Sequence, residues 1–153
     1  MPKRGRDTAR SVARNSVFVD SSAWIAFFSA RDQHHAEADR MFRQAADKGK
    51  LLLTSNLMLA EVHRLLLYRV GIEAAAGALD RIEASALTKT EFSGPSHHQA
   101  ALLWLKKLRG HPISYADAVS FAVMEATGCM EAMSFDQHFR IAGFMHFEVR
   151  PNP

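Results

Sequence analysis

Cysteine is almost missing from this chain: Cys129 is the one instance in 153 residues. That excludes an intramolecular disulfide framework and any zinc site built from paired cysteines, and it makes a reducing, cytoplasmic location the expectation. Long apolar runs are missing too. No stretch approaches the ~20 residues that span a bilayer, so no membrane role is expected, and the N-terminus lacks the apolar core of a secretory signal. Phosphate-cradling glycines are absent where they would be needed. Asp20-Ser21-Ser22 offers no glycine-rich first turn for a dinucleotide, and Gly49-Lys50 has neither the leading glycine nor the following Ser/Thr of a P-loop. A phosphotransfer fold with an aspartyl nucleophile often pairs acids around its first strand, where Asp20 stands alone. Nor is there much net charge outside the first fifteen residues. Lys3, Arg4, Arg6, Arg10 and Arg14 against Asp7 give that stretch +4, which leaves −1 of the formal +3 for the other 138 residues. Net charge is therefore no argument for nucleic-acid binding by the body of the chain.

What remains is an ordinary globular balance, 48% hydrophobic and 23% charged, in one domain's length of chain. Residues 1–15 read as a flexible basic tail, a solvated extension with RNA contact or organelle targeting as its other uses. Residues 16–153 read as the domain. Val17-Phe18-Val19 is a short buried strand ending at Asp20, and Leu51-Leu52-Leu53 is a second. Helices are expected from Ser21 to Phe28, from Asp32 until Gly49 stops it, from Asn56 to Val70 and from Ile72 to Ala84. A weaker strand covers 86–92. After the Gly94-Pro95-Ser96 break comes a helix through Leu102, Trp104 and Leu108. A second break, Gly110-His111-Pro112, precedes one from Ser114 to Thr127. Glu131–Ser134 reads as a strand arriving at Asp136, followed by a helical turn through Phe139 and a last strand from Phe147 to Arg150. Strands alternating with helices imply an α/β fold with a parallel sheet covered on both faces, whose ligands collect at the carboxyl ends of the strands.

Four acids stand out against that frame. Asp20 and Asp136 each follow a strand and precede a helix, where a carboxylate can simply cap free N–H groups. Asp117 has an equally ordinary role, since Ser114-Tyr115-Ala116-Asp117 resembles a capping box. Glu61 is different. It lies mid-helix with Leu57, Met58 and Leu65 on its own face, where an unpaired charge must be paired, protonated or bound to a cation. Brought to one end of the sheet, the four would repel one another unless a cation joined them. All-oxygen ligation without cysteine suits a hard ion, Mg²⁺ or Mn²⁺, and hence metal-assisted phosphodiester hydrolysis. The histidines invite a metal reading as well, but His34-His35 and His97-His98 are adjacent pairs that diverge on a helix and are expected at its surface. Trp24, Phe27, Phe28 and Trp104 are expected in the core or an interface. Leu65-Leu66-Leu67 and Leu102-Leu103-Trp104-Leu105 are more apolar than one core face requires, which points to a homodimer or a groove for a partner helix.

Four stretches carry a resemblance: Val17–Trp24, Leu59–Val62, Ile113–Met124 and Met133–Phe139. As an ordered set they resemble the PIN-domain family of metal-dependent ribonucleases, above all its VapC-like toxin branch. The resemblance covers about residues 16–150. It implies a three-layer α/β/α sandwich with a mostly parallel central sheet, and an acidic metal site in which Asp20, Glu61, Asp117 and Asp136 match the family quartet. Ser22, Ser114 and Ser134 fall beside it as supporting hydroxyls. It also implies an Mg²⁺- or Mn²⁺-dependent endoribonuclease leaving 5′-phosphate and 3′-hydroxyl ends on single-stranded or looped RNA, the toxin of a type II pair with a small antitoxin partner. A basic residue often follows the fourth acid in such toxins; here it is Gln137. Arg64, Arg69, Lys106, Lys107, Arg109 and Arg140 are candidate RNA-backbone contacts. The competing reading is a non-catalytic PIN-like module that binds RNA or protein.

Overall fold

A computed structural model describes residues 13 and 15–151; the expected basic tail falls mostly outside them. The chain runs β1 (Ser16–Val19), α1 (Ser21–Phe28), α2 (His35–Asp47), β2 (Leu51–Ser55), α3 (Asn56–Arg69), α4 (Ile72–Ala84), β3 (Thr88–Glu91), α5 (Pro95–Lys107), α6 (Tyr115–Thr127), β4 (Glu131–Met133), α7 (His138–Ile141) and β5 (Met145–His146). The sheet order is β3-β2-β1-β4-β5, and every neighbouring pair is parallel.

Alternation along the strands makes the three layers. Val17 and Val19 enter a core with Trp24, Met41, Phe42, Val62 and Ile82, beneath α1 to α4. Phe18 points the other way, into a core with Phe121, Met124, Phe139 and Phe144 beneath α5 to α7. Leu52/Leu53 and Met133/Ala132 divide between the two cores in the same manner, as the period of two in a strand requires. Both faces of the central strands are thus dry, which is why they read as unbroken apolar runs. Trp24 is buried, while Phe27, Phe28 and Trp104 are half-buried against the cores. No described helix is long and apolar enough to cross a membrane.

Helix ends follow local chemistry. At the end of α2, Gly49 holds φ +62° while its N–H donates to Ala46 O and the Lys50 N–H donates to Ala45 O. These are the two bonds of a Schellman stop, for which glycine is the residue with least strain. Ser55 Oγ accepts from the Met58 N–H and caps α3. Two expectations shift. Asp32 does not begin α2 directly: its carboxylate accepts from the His34 N–H at 2.8 Å, a turn that delays the helix to His35. The final strand is Met145–His146 rather than 147–150. Its partner β4 is only three residues long; the Phe147 N–H makes a last bond to Ala132 O, and Arg150 is tied instead to Gln44.

Candidate active site

β1 is the centre of the sheet, with β2 on one side and β4 on the other, and the chain leaves the carboxyl ends of β1 and β4 next to each other. Asp20 follows β1. Its N–H donates to Met133 O at 3.0 Å, which carries the pairing one step past the strand and sets Asp20 beside Ser134. The carboxylate does not cap α1: the cap position is occupied by Asp20, yet its side chain makes no cap hydrogen bond. Ser22 Oγ donates to Oδ2 at 2.7 Å and Ser134 Oγ donates to the same oxygen at 2.9 Å, leaving Oδ1 without a hydrogen bond among the described residues. Ser22 in turn accepts from the Phe135 N–H, and Ser134 from the Asp136 N–H. The two hydroxyls therefore stitch the β1 and β4 exits into one rigid loop pair.

Asp117 does cap α6. Ser114 Oγ accepts from its N–H at 3.0 Å, and the Ser114 N–H donates to Asp117 Oδ2 at 3.2 Å, the reciprocal box expected from the sequence. Asp136 also has a local partner, the His138 N–H at 2.9 Å. Glu61 has no ion pair among the described residues and is half-buried on α3.

The four carboxylates share one field. Burial first, then the charge of Asp136 and, less strongly, of Asp117, push the Asp20 carboxyl up to about 7, although the two serine hydroxyls pull it down. Burial also raises Glu61, with Asp117 and Asp136 adding to it and the Ser21 hydroxyl offsetting part. Four acids from four separate segments thus repel one another at the carboxyl edge of the sheet, where ligands bind in open parallel sheets. The donor set suits a divalent cation: carboxylate and hydroxyl oxygens, with Asp20 raised to about 7 and ion-paired to no lysine or arginine among the described residues.

One further residue enters this cluster unannounced by the sequence analysis. His138 Nδ1 stands 2.8 Å from Asp117 Oδ2 and 3.7 Å from Asp136 Oδ1. Asp117, Asp136 and His138 offer donor atoms that all lie within 4.8 Å of one another.

A family model for the PIN domain matches residues 17–145. The chain belongs to the PIN domain family. Among PIN-domain relatives it is 38% identical over 135 residues to the 23S rRNA-specific endonuclease VapC20 of Mycobacterium tuberculosis, covering 88% of this chain and 98% of that protein. It is 27% identical over 139 residues to Ribonuclease VapC26 of the same organism, covering 88% of this chain and all of that one. The crystal structure of VapC20, described as a sarcin–ricin loop cleaving toxin, superposes with a TM-score of 0.78 at 37% identity, over 88% of this chain and 99% of that one. The α/β/α architecture expected from the resemblance is the one observed, with a sheet that is parallel throughout.

The basic residues of this PIN domain scatter. Arg140 lines a groove of about 800 Å³ that also contains Ser134, Phe135, Arg40, Arg43 and Arg150, and so adjoins the acidic cluster. Arg69 lines a separate cavity beside Phe28 and Leu66. Lys107 lies over the Trp104 ring at 4.7 Å and Arg64 over Tyr68 at 6.0 Å, while Lys106 and Arg109 are exposed. Of the paired histidines, His98 is exposed as expected. His34 is instead stacked on Phe135 at 4.3 Å, and His35 Nδ1 lies 2.7 Å from Ala26 O.

Proposed function

We propose that this PIN-domain chain is a divalent-metal-dependent endoribonuclease using Mg²⁺ or Mn²⁺, and the toxin of a toxin–antitoxin pair. One observation carries the reading: at the sheet's carboxyl edge the charges of Asp117 and Asp136 press on both Asp20 and Glu61, a repulsion that costs stability and that a bound cation would relieve. A purely binding module has no use for that cost. In the proposed site Asp20, Asp117 and Asp136 hold the ion and Glu61 completes the field. An ion held there would supply a lowered pKa for the attacking water and a positive charge beside the phosphate. Ser22 and Ser134 fix the orientation of Asp20. Asp117, held by its own helix cap, orients the water and accepts its proton.

The groove beside Ser134 supports a path for RNA flanking the scissile bond. Among the described residues Arg140 is ion-paired to Glu148 alone, at 3.1 Å in an exposed pair, a contact weak enough to yield to a phosphate. The identity to VapC20 over nearly its whole length supports structured ribosomal RNA as the substrate class, in a cytoplasmic setting. Incubated with 23S rRNA, a short RNA carrying the sarcin–ricin loop, and transfer RNA, the protein is expected to cut the ribosomal substrates at a defined position. The new ends should carry 5′-phosphates, and chelator should stop the reaction. Undiminished cleavage in chelator would remove the metal, and no cleavage of any of the three RNAs with Mg²⁺ or Mn²⁺ would remove the nuclease.

Apolar side chains left in water support the partners. Tyr68 (79% exposed), Val70 and Ile72 (73%) crowd the turn between α3 and α4, and Leu103 lies open on α5. A corner of this kind marks an interface. We assign it to a homodimer, with an antitoxin as a further partner. Sedimentation at tens of micromolar should give a dimer that Tyr68→Lys with Ile72→Lys converts to monomer; a monomeric parent would refute the assignment.

A further inference from the structure

His138 opens α7, a helix of four residues whose packing is supplied by the neighbouring Phe139, fully buried against Phe18 and Phe121. The core therefore does not require an imidazole at 138. The side chain is 28% exposed, but its Nδ1 is shielded from water and has no aligned hydrogen-bond partner. The 2.8 Å approach to Asp117 Oδ2 is close enough for a bond, yet lacks the direction of one. A buried nitrogen without an aligned partner is rare and calls for an explanation. Two acid oxygens, from Asp117 and Asp136, face it at 2.8 and 3.7 Å. Adjacent donors around a six-coordinate divalent ion at roughly 2.0–2.2 Å stand about 3 Å apart; the 2.8 Å pair matches that spacing, and Asp136 Oδ1 lies just beyond it at 3.7 Å, with all three donors within 4.8 Å of one another. The backbone adds its own constraint: the His138 N–H donates to Asp136 Oδ1, which locks the turn that points the ring back at the acids.

We propose that His138 is a nitrogen ligand of this site, adding one imidazole beside Asp117 and Asp136 to the carboxylate donors that hold the divalent ion. The proposal rests on the reading that the acidic cluster binds such an ion. Ligation at Nδ1 would require the tautomer with its proton on Nε2. It departs from the all-oxygen site expected from the sequence and has a consequence for metal choice. Carboxylate oxygen alone serves Mg²⁺ well, whereas imidazole adds affinity for Mn²⁺ and more for the later ions of the first row.

Pulsed electron paramagnetic resonance on the tag-free full chain loaded with Mn²⁺ tests this without any reaction. The expected spectrum shows ¹⁴N modulation from one imidazole. His138→Gln should remove that modulation and weaken Mn²⁺ binding by about tenfold or more, while changing Mg²⁺ binding less. Bound Mn²⁺ without nitrogen coupling in the parent protein would overturn the ligand and leave the carboxylate site standing. Coupling that survives His138→Gln would also overturn it, by assigning the nitrogen to another residue. Failure of the parent protein to bind Mn²⁺ at all would overturn both the ligand and the metal site beneath it. The parent spectrum decides the matter even if the variant folds poorly.

Discussion

Asp117→Asn is expected to lower the rate of RNA cleavage by about 10³-fold or more while leaving the fold in place. The two effects separate because Asp117 has two jobs. Its structural job is the capping box with Ser114, built from its own N–H and from Oδ2. Asparagine keeps the backbone donor and one carbonyl oxygen to accept the Ser114 N–H, so the helix start should lose no more than about 0.5 kcal/mol. Its proposed chemical job needs a negative charge beside the other acids, and an amide supplies none. Losing a preorganised group aimed at developing charge typically costs about 10² to 10³ in rate, and losing metal affinity as well adds to that. The checks are initial rates on end-labelled RNA, run with circular-dichroism melts of both proteins in chelator. Cleavage at the parent rate would take Asp117 out of the mechanism. A melt lowered by many degrees would show that the cap, rather than the charge, dominates at this position.

Most of the architecture is legible because buried parallel strands announce themselves. Val17-Phe18-Val19 and Leu51-Leu52-Leu53 have no polar alternation, and such runs belong to strands covered on both faces. The sequence also marks Asp20, Glu61, Asp117 and Asp136, but it cannot weigh their ordinary roles. Asp20 and Asp117 are both placed to cap a helix, and only in the folded structure is it plain that Asp117 does so while Asp20 turns to Ser22 and Ser134. That difference lies in side-chain rotamers, which spacing does not encode. His138 escapes notice for another reason. Helical spacing separates residues 136 and 138 on opposite sides, whereas here an Asx-type turn folds the ring back over Asp136 and Asp117. The pattern Asp-x-His at a strand exit is the signal that could have found it. The last strand is misplaced because Phe147 and Val149 look apolar enough to be paired, while its extent is set by the short β4 beside it, a property of another segment.

In metal-free protein Asp20→Asn is expected to raise stability, and to do so more at pH 8 than at pH 5. The Asp20 carboxyl is held near 7 in the folded chain against an ordinary 3.8. Between those values the native state binds more protons than the unfolded chain, so stability falls as pH rises. The loss is complete above about 7 and absent below about 4. It amounts to at most about 5 kcal/mol, at about 1.4 kcal/mol per pKa unit. Asparagine is nearly the same size and keeps a carbonyl oxygen for the Ser22 and Ser134 hydroxyls, but it carries no charge to bury beside Asp136. At pH 8 in chelator the variant should therefore melt several degrees higher than the parent, at roughly 2–4 °C per kcal/mol for a chain of this size, and the gap should narrow by more than half near pH 5. A divalent ion acts in the opposite sense: Mg²⁺ or Mn²⁺ at 100 times its dissociation constant should stabilise the parent by about 2.7 kcal/mol through mass action, and the variant much less. Parallel pH profiles for the two proteins, or equal shifts with metal, would mean that Asp20 does not share a field with the other acids, and the cluster would lose its reason to bind an ion.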